Sequence, residues 1–251
     1  MTGSPSYART TVSGLRQRRH PWITLMVGTG AALVILLWGL ASRGSRAGFD
    51  VDLWLDAHHR PGVTLLALGL SKLFSPAPAV AMGFVFAVVV AILTKRAATG
   101  LAAGLVTGLS WASSDIVKLL VHRPRPDWGL LPHHVGVAEI DPSFPSGHVT
   151  FAAALTVTAV MLLRRFEWRV FTAVVGLCVT VTVAFARLYV GAHYPSDVLA
   201  AALYGFLVTP SAFVVIAWLD QTTPVGRVID AAAAAVFPRI FERHDRLELV
   251  A

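Results

Sequence analysis

Three segments far apart along the chain concentrate residues that can handle a phosphate. The first runs from Lys118 through Arg123 and Arg125 to Pro126. The second is Pro145-Ser146-Gly147-His148. The third begins at Arg187, passes His193 and ends at Asp197. Lys118, Arg125 and Arg187 would form a cationic cage, because arginine's planar fork matches phosphate oxygens and lysine adds a point charge. Ser146 and Gly147 sit just before an apolar run of helical length. At a helix start, free backbone N–H groups attract anions, and glycine lets the backbone come close. His148 and His193 carry imidazoles that serve as nucleophile, acid or base near neutral pH. Asp197 lies four residues past His193, so in a helical or nearly helical stretch its carboxylate reaches the ring and fixes the tautomer. Cations for the phosphate, an oriented imidazole and a second histidine for the leaving group make phosphoryl transfer the natural reaction.

Such a pocket needs elements that bring the three segments together, and hydropathy supplies them. Crossing the hydrocarbon layer takes about 20 mostly apolar helical residues. Six stretches qualify: 22–41, 77–94, 98–120, 148–163, 168–188 and 196–219. Pro195 suits the first turn of the last of these, where a missing N–H costs nothing. Arg16, Arg18 and Arg19 precede the first stretch as they would a cleaved leader. Its apolar length exceeds the roughly 7–15 residues usual there, which favours a retained anchor. Residues 49–74 mix charge with apolar bulk, and 63–74 is apolar but too short to span, so both parts read as helices lying at the interface. The expected fold is an all-α bundle of six transmembrane helices with interfacial helices between the first and second spans. Residues 1–21 form a basic cytoplasmic N-terminus, 22–219 a membrane-embedded catalytic domain and 220–251 a cytoplasmic tail.

Composition agrees. The 251 residues are 55% hydrophobic and only 14% charged, against about a quarter charged in soluble domains. The net charge of +7 is scattered between apolar blocks and forms no basic stripe with interleaved aromatics. Anionic lipid headgroups, and not nucleic acid, are therefore the expected partner. Cys178 is the only cysteine, which excludes an intrachain disulfide or a cysteine metal cluster and leaves it as a small apolar residue in a membrane helix. With the N-terminus inside and six crossings, 13 of the 21 Lys and Arg fall on the inner side and 8 on the outer, as the cytoplasmic bias of basic residues requires. Both termini are then cytoplasmic. The three phosphate-handling segments all land on the outer face, under a topology derived without them.

The spacing Lys-x6-Arg-Pro, then Pro-Ser-Gly-His, then Arg-x5-His-x3-Asp resembles the three-part signature of type 2 phosphatidic acid phosphatases, which share their core with vanadium haloperoxidases. The resemblance covers roughly residues 49–219. Each motif alone is weak; three in order with the right spacing are specific. The resemblance implies a metal-independent lipid phosphatase without a cofactor. His193 would attack phosphorus and become phosphohistidine, Asp197 would hold it, and His148 would protonate the leaving oxygen and then activate water. Lys118, Arg125, Arg187, Ser146 and Gly147 would bind the phosphoryl oxygens. Substrates suggested by the family are phosphatidic acid, polyprenyl pyrophosphates, phosphatidylglycerol phosphate and prenyl-linked sugar phosphates. A phosphotransferase with the same intermediate and a non-catalytic lipid-binding protein are the rival classes. One departure stands out: Ala186 occupies a position where the family usually has serine, so a hydroxyl contact near the phosphate is absent and altered affinity is expected.

Blander roles attach to single residues. Lys118 could snorkel to the interface with Asp115 as its ion partner. Arg123 stays ambiguous between interfacial anchor and site residue. The adjacent pair His133/His134 has no nearby carboxylate or thiol ligand in sequence and reads as solvent-exposed loop, and His58/His59 are read the same way. Trp128 either touches the lipid substrate or packs its own loop.

Overall fold

A computed structural model describes residues 20–241. The expected basic residues Arg9, Arg16, Arg18 and Arg19, and Arg243 and Arg246 near the end, lie outside the described residues. Among the described residues all regular structure is helical. Proline opens α1 (Pro21–Ser42), α3 (Pro61–Leu73), α4 (Pro76–Thr94) and α8 (Pro195–Thr222), at the turn where its missing donor is harmless. α2 (Phe49–Ala57) starts after Gly48, whose φ of +87° a side chain would disfavour. α5 (Ala97–Val121), α6 (Gly147–Leu162) and α7 (Phe166–Tyr189) complete the set that carries the three segments.

Five of these helices, α1, α4, α5, α7 and α8, are long and apolar enough to cross a bilayer. Their outward faces carry Leu33, Leu37, Phe84, Val85, Val174 and Leu199 exposed. In water that surface would be prohibitive, so the chain is a multi-pass membrane protein. α6 falls where a fourth span was expected but has only 16 residues, about 24 Å of rise against about 30 Å of hydrocarbon. The reason is its place in the middle. Val149, Phe151, Ala153 and Ala154 are 0–2% exposed, so protein and not lipid surrounds it. It packs against α5, α7 and α8. Gly205 of α8 makes that approach possible: a Cβ there would stand 2.5 Å from Ala153 Cβ and 3.0 Å from the Thr150 carbonyl oxygen.

α5 and α7 run toward one end of the bundle, and α6 and α8 start from it. That places Lys118, His148, Arg187 and Asp197 at the same end. Beyond α8, α9 (Val225–Val236) returns to the start of α5, where Asp230 accepts from the Ala98 amide at 2.8 Å and pairs with Arg96 at 3.4 Å. The four-residue α10 (Pro238–Phe241) follows. Within the expected tail, α9 is therefore docked on the bundle.

Candidate active site

His193 lies in the tight turn between α7 and α8. Gly191, at φ +66°, turns the chain there, and a Cβ on it would run into Leu131. Two residues after His193 the chain enters α8 under a capping box: the Asp197 carboxylate accepts from the Tyr194 amide at 3.0 Å. His193 therefore precedes the helix, and the expected one-turn helical reach to Asp197 is replaced by cap geometry. Its Nδ1 stands 3.7 Å from Asp197 Oδ2, near the carboxylate but beyond hydrogen-bond length.

The other ring nitrogen fixes the tautomer. His193 Nε2 lies 3.1 Å from Arg125 Nη1. A guanidinium only donates, so Nε2 must present its lone pair and the neutral ring carries its proton on Nδ1, toward Asp197. Burial, followed by the positive charges of Arg125, Arg187 and Lys118, pushes the His193 pKa well below its usual value and keeps that lone pair available in mildly acidic solution.

A cavity of about 510 Å³ opens beside this ring, lined by Arg125, His148 and Arg187 together with Ser71, Lys72, Trp128 and Glu139. His148 sits in the first turn of α6, with Nε2 3.0 Å from the Ser71 carbonyl. Ser71, on α3, was not singled out in the sequence. Ser146 caps α6 and is fully buried; its Oγ and Arg187 Nε have no hydrogen-bond partner among the described residues. Buried donors are seldom left this way outside functional sites. Gly147 is half-buried, and a Cβ on it would approach Trp111 Nε1 to 3.4 Å. Trp128 both lines the cavity and packs on His134, with ring centroids 4.8 Å apart.

The three cage cations converge, but on carboxylates the sequence did not announce. Lys118 Nζ is 2.7 Å from Asp141 Oδ2, so its partner is Asp141 and not Asp115. Arg125 Nη2 is 2.7 Å from Glu139 Oε2 and 2.8 Å from Asp141 Oδ1, and Arg187 pairs with Glu139 Oε1. Burial opposes ionisation of both acids, yet the cations outweigh it: Glu139 titrates below its usual value and Asp141 at about 2.

Arg123 resolves its ambiguity. It is 1% exposed, donates to Asp197 Oδ1 at 2.6 Å, to Ser196 Oγ at 2.7 Å and to the Ser45 carbonyl at 2.8 Å, and lies 4.2 Å over the Tyr194 ring. It is the buried partner of Asp197. Of the histidine pairs, His58, His133 and His134 are exposed as expected, and His59 is half-buried. His59 Nε2 is 2.9 Å from the Tyr189 carbonyl, and the backbone amide of His133 donates to Asp56 at 2.9 Å. Both contacts tie loops to α2 and α7. Ala186 is buried in an apolar cluster with Leu55, Tyr189 and Ala192 and does not line the cavity.

Asp52 on α2 is buried, with neither carboxylate oxygen hydrogen-bonded among the described residues. Burial, with the charges of Asp197 and Asp50 added and Arg123 opposing, pushes its pKa up to about 8. A carboxyl raised above its unfolded value stabilises fully below about pH 4 and loses that contribution as pH rises toward 8. Asp52→Asn is therefore expected to leave the unfolding temperature in detergent unchanged at pH 4 and to raise it at pH 8. An equal shift at both values would place the titration elsewhere.

Residues 99–221 match the family model of the PAP2 superfamily. Undecaprenyl-diphosphatase BcrC of Bacillus subtilis is 33% identical over 96 residues, 37% of this chain and 47% of that protein. Lipid A 1-phosphatase of Rhizobium etli is 31% identical over 100 residues, covering 37% and 39%. The chain thus spans less than half the length of these curated relatives. A transmembrane PAP2 type phosphatidylglycerolphosphate phosphatase from Bacillus subtilis shares the fold, with a TM-score of 0.61 at 21% identity, over 78% of this chain and 96% of that one.

Proposed function

Residues 99–221 belong to the PAP2 superfamily, and from that premise we propose that the chain is a membrane lipid phosphatase hydrolysing a lipid phosphomonoester or pyrophosphate. One observation carries the reading. The lone pair of the buried His193 imidazole faces the Arg125 guanidinium at 3.1 Å, and Arg125 lines a cavity together with His148 and Arg187. That arrangement supports an attack on phosphorus in which positive charge meets the phosphoryl oxygens as the nucleophile arrives.

In this mechanism His193 Nε2 forms the bond to phosphorus while the bond to the leaving oxygen breaks. His148 gives that oxygen its proton. Water, deprotonated by His148, then attacks the phosphohistidine, and inorganic phosphate leaves with His193 restored. Arg125, Arg187 and Lys118 hold the phosphoryl oxygens, joined by the Ser146 hydroxyl and the backbone N–H groups that open α6 at Gly147. Asp197 holds the Nδ1 proton side of His193 and stabilises its charge. No step needs a metal or cofactor.

The placement in the membrane belongs to the same reading. α1, α4, α5, α6, α7 and α8 make six crossings, α6 completing its passage inside a protein sheath. α2 and α3 lie at the interface, and 22–219 is the catalytic domain. Both termini are cytoplasmic, with the site facing the periplasm or cell exterior. The lipid tail stays in hydrocarbon and the headgroup enters sideways.

The test is a panel of lipid mono- and diphosphates presented in detergent with a chelator present. Release of inorganic phosphate from at least one lipid is expected. Transfer of label to a lipid acceptor without free phosphate would make the chain a phosphotransferase. Turnover of none would leave it a lipid-binding protein.

A further inference from the structure

Glu139 and Asp141 use four carboxylate oxygens to bridge three cations. Glu139 spans Arg187 and Arg125, and Asp141 spans Arg125 and Lys118. This is the way a tetrahedral anion would be shared among them. Lys118 and Arg187 sit in the last turns of α5 and α7, Arg125 follows α5 by four residues, and the three side chains are only 2–12% exposed. The acids belong to a loop without regular structure between Leu131 and Ser146, whose Val137 and Ile140 are 85% and 102% exposed. If one side of these ion pairs is to move, it is the loop.

The pairing also governs the nucleophile. Arg125 donates from Nε to the Asp141 carbonyl at 2.9 Å and from Nη2 to both carboxylates. Held so, and by donation to the Ala192 carbonyl at 2.8 Å, its Nη1 lies 3.1 Å from His193 Nε2 and covers the lone pair that would attack phosphorus. His193 is 1% exposed in this state. Arg125 and Glu139 line both the 510 Å³ cavity and a second one of about 680 Å³, which Ile140 and Asp141 also line.

We infer that Glu139 and Asp141 act as a resident anion that occupies the phosphoryl site and pins Arg125 over His193, and that the phosphate of the substrate must displace it. This rests on reading the cage as a phosphoryl site. The pair is then specificity-determining. With it in place the three cations are offset by two acids, so only a ligand bringing at least two negative charges to the same atoms competes well. Protons do not release it. Asp141 keeps its charge until pH falls toward 2, and Glu139, facing Arg187, Arg125 and His148, also titrates below its normal range. The displacing agent is an anion.

Three purified full-length proteins decide the matter: wild type, Glu139→Gln/Asp141→Asn, and Glu167→Gln as a control of equal chemistry on the exposed start of α7. Inorganic phosphate is the probe. The double variant is expected to bind phosphate about 10-fold or more tightly. Its His193 should react faster with diethyl pyrocarbonate, located by peptide mass spectrometry, with the control unchanged in both respects. Unchanged or weaker phosphate binding would overturn the inference, since the acids would then be organising the cations and not competing with substrate. Faster labelling without tighter binding would overturn it as well. Wild-type lipid turnover is measured beside these. Turnover with no gain in phosphate binding removes the resident anion and leaves the phosphatase, whereas a gain without turnover removes the phosphatase and leaves the anion site.

Discussion

Replacing His193 by alanine or glutamine is expected to lower lipid phosphate turnover by about 10⁴-fold or more, the scale seen when a covalent nucleophile is deleted. Folding should survive, because the ring's one hydrogen bond among the described residues is with Arg125, which keeps its bonds to the Ala192 carbonyl and to Asp141. Gly191 and the Tyr194–Asp197 cap, not the imidazole, define the turn. Glutamine fills much of the buried space and so separates loss of chemistry from loss of packing. A companion, His148→Ala, affects both steps. The nucleophile remains but leaving-group protonation and water activation are gone, so a labelled lipid diphosphate, whose leaving group least needs a proton, should phosphorylate slowly and leave an acid-labile, base-stable phosphoprotein with the label on His193. Near-normal phosphate release by His193→Ala would move the nucleophile to another residue, and the tautomer argument from Arg125 would lose its purpose.

How much of this was readable from residues alone follows from the range of the forces involved. Apolar runs and prolines act locally, so the long helices appear within a few residues of where hydropathy put them. α6 is the instructive exception: its composition is that of a span, but its 16 residues are set by where Ser146 caps it and by neighbours that shield it from lipid, neither of which hydropathy registers. Lys118, Arg125, His148, Arg187 and His193 were legible as neighbours because each lies at or beside a helix end that hydropathy places on one side of the bundle. Glu139, Asp141 and Ser71 were not. Their roles come from tertiary proximity, across irregular chain or between helices, and an acid in an exposed loop has no sequence pattern to distinguish it. A signal did exist for Arg123. An arginine just past the end of a membrane helix must find a partner or reach water; Asp197, 74 residues on, is that partner. The expectation for His193 and Asp197 placed the right residues together by the wrong geometry, because Pro195 starts the helix two residues after the histidine.

Arg123→Ala is expected to cost about 3–5 kcal/mol of stability, the usual effect of stripping one member from a buried ion pair. The guanidinium offsets two buried carboxylates. It bonds Asp197 at 2.6 Å, and its charge also opposes the burial and repulsion that keep Asp52 from ionising. Its remaining bonds join Ser45, ahead of α2, to Ser196 in the first turn of α8, so the loss loosens the turn that holds His193. Lysine should rescue only in part, since a single ammonium cannot fork between Asp197, Ser196 and the Ser45 carbonyl. A double variant distinguishes packing from positioning. Arg123→Met with Asp197→Asn removes both charges while keeping volume, and such replacements of buried pairs are often tolerated. Its unfolding temperature in detergent should therefore recover well above that of Arg123→Ala. Lipid turnover should not recover, because a neutral carboxamide in place of the Asp197 carboxylate would no longer stabilise the positive charge that develops on His193. Recovery of both would show that Arg123 and Asp197 serve the fold alone, and that His193 needs no carboxylate behind it.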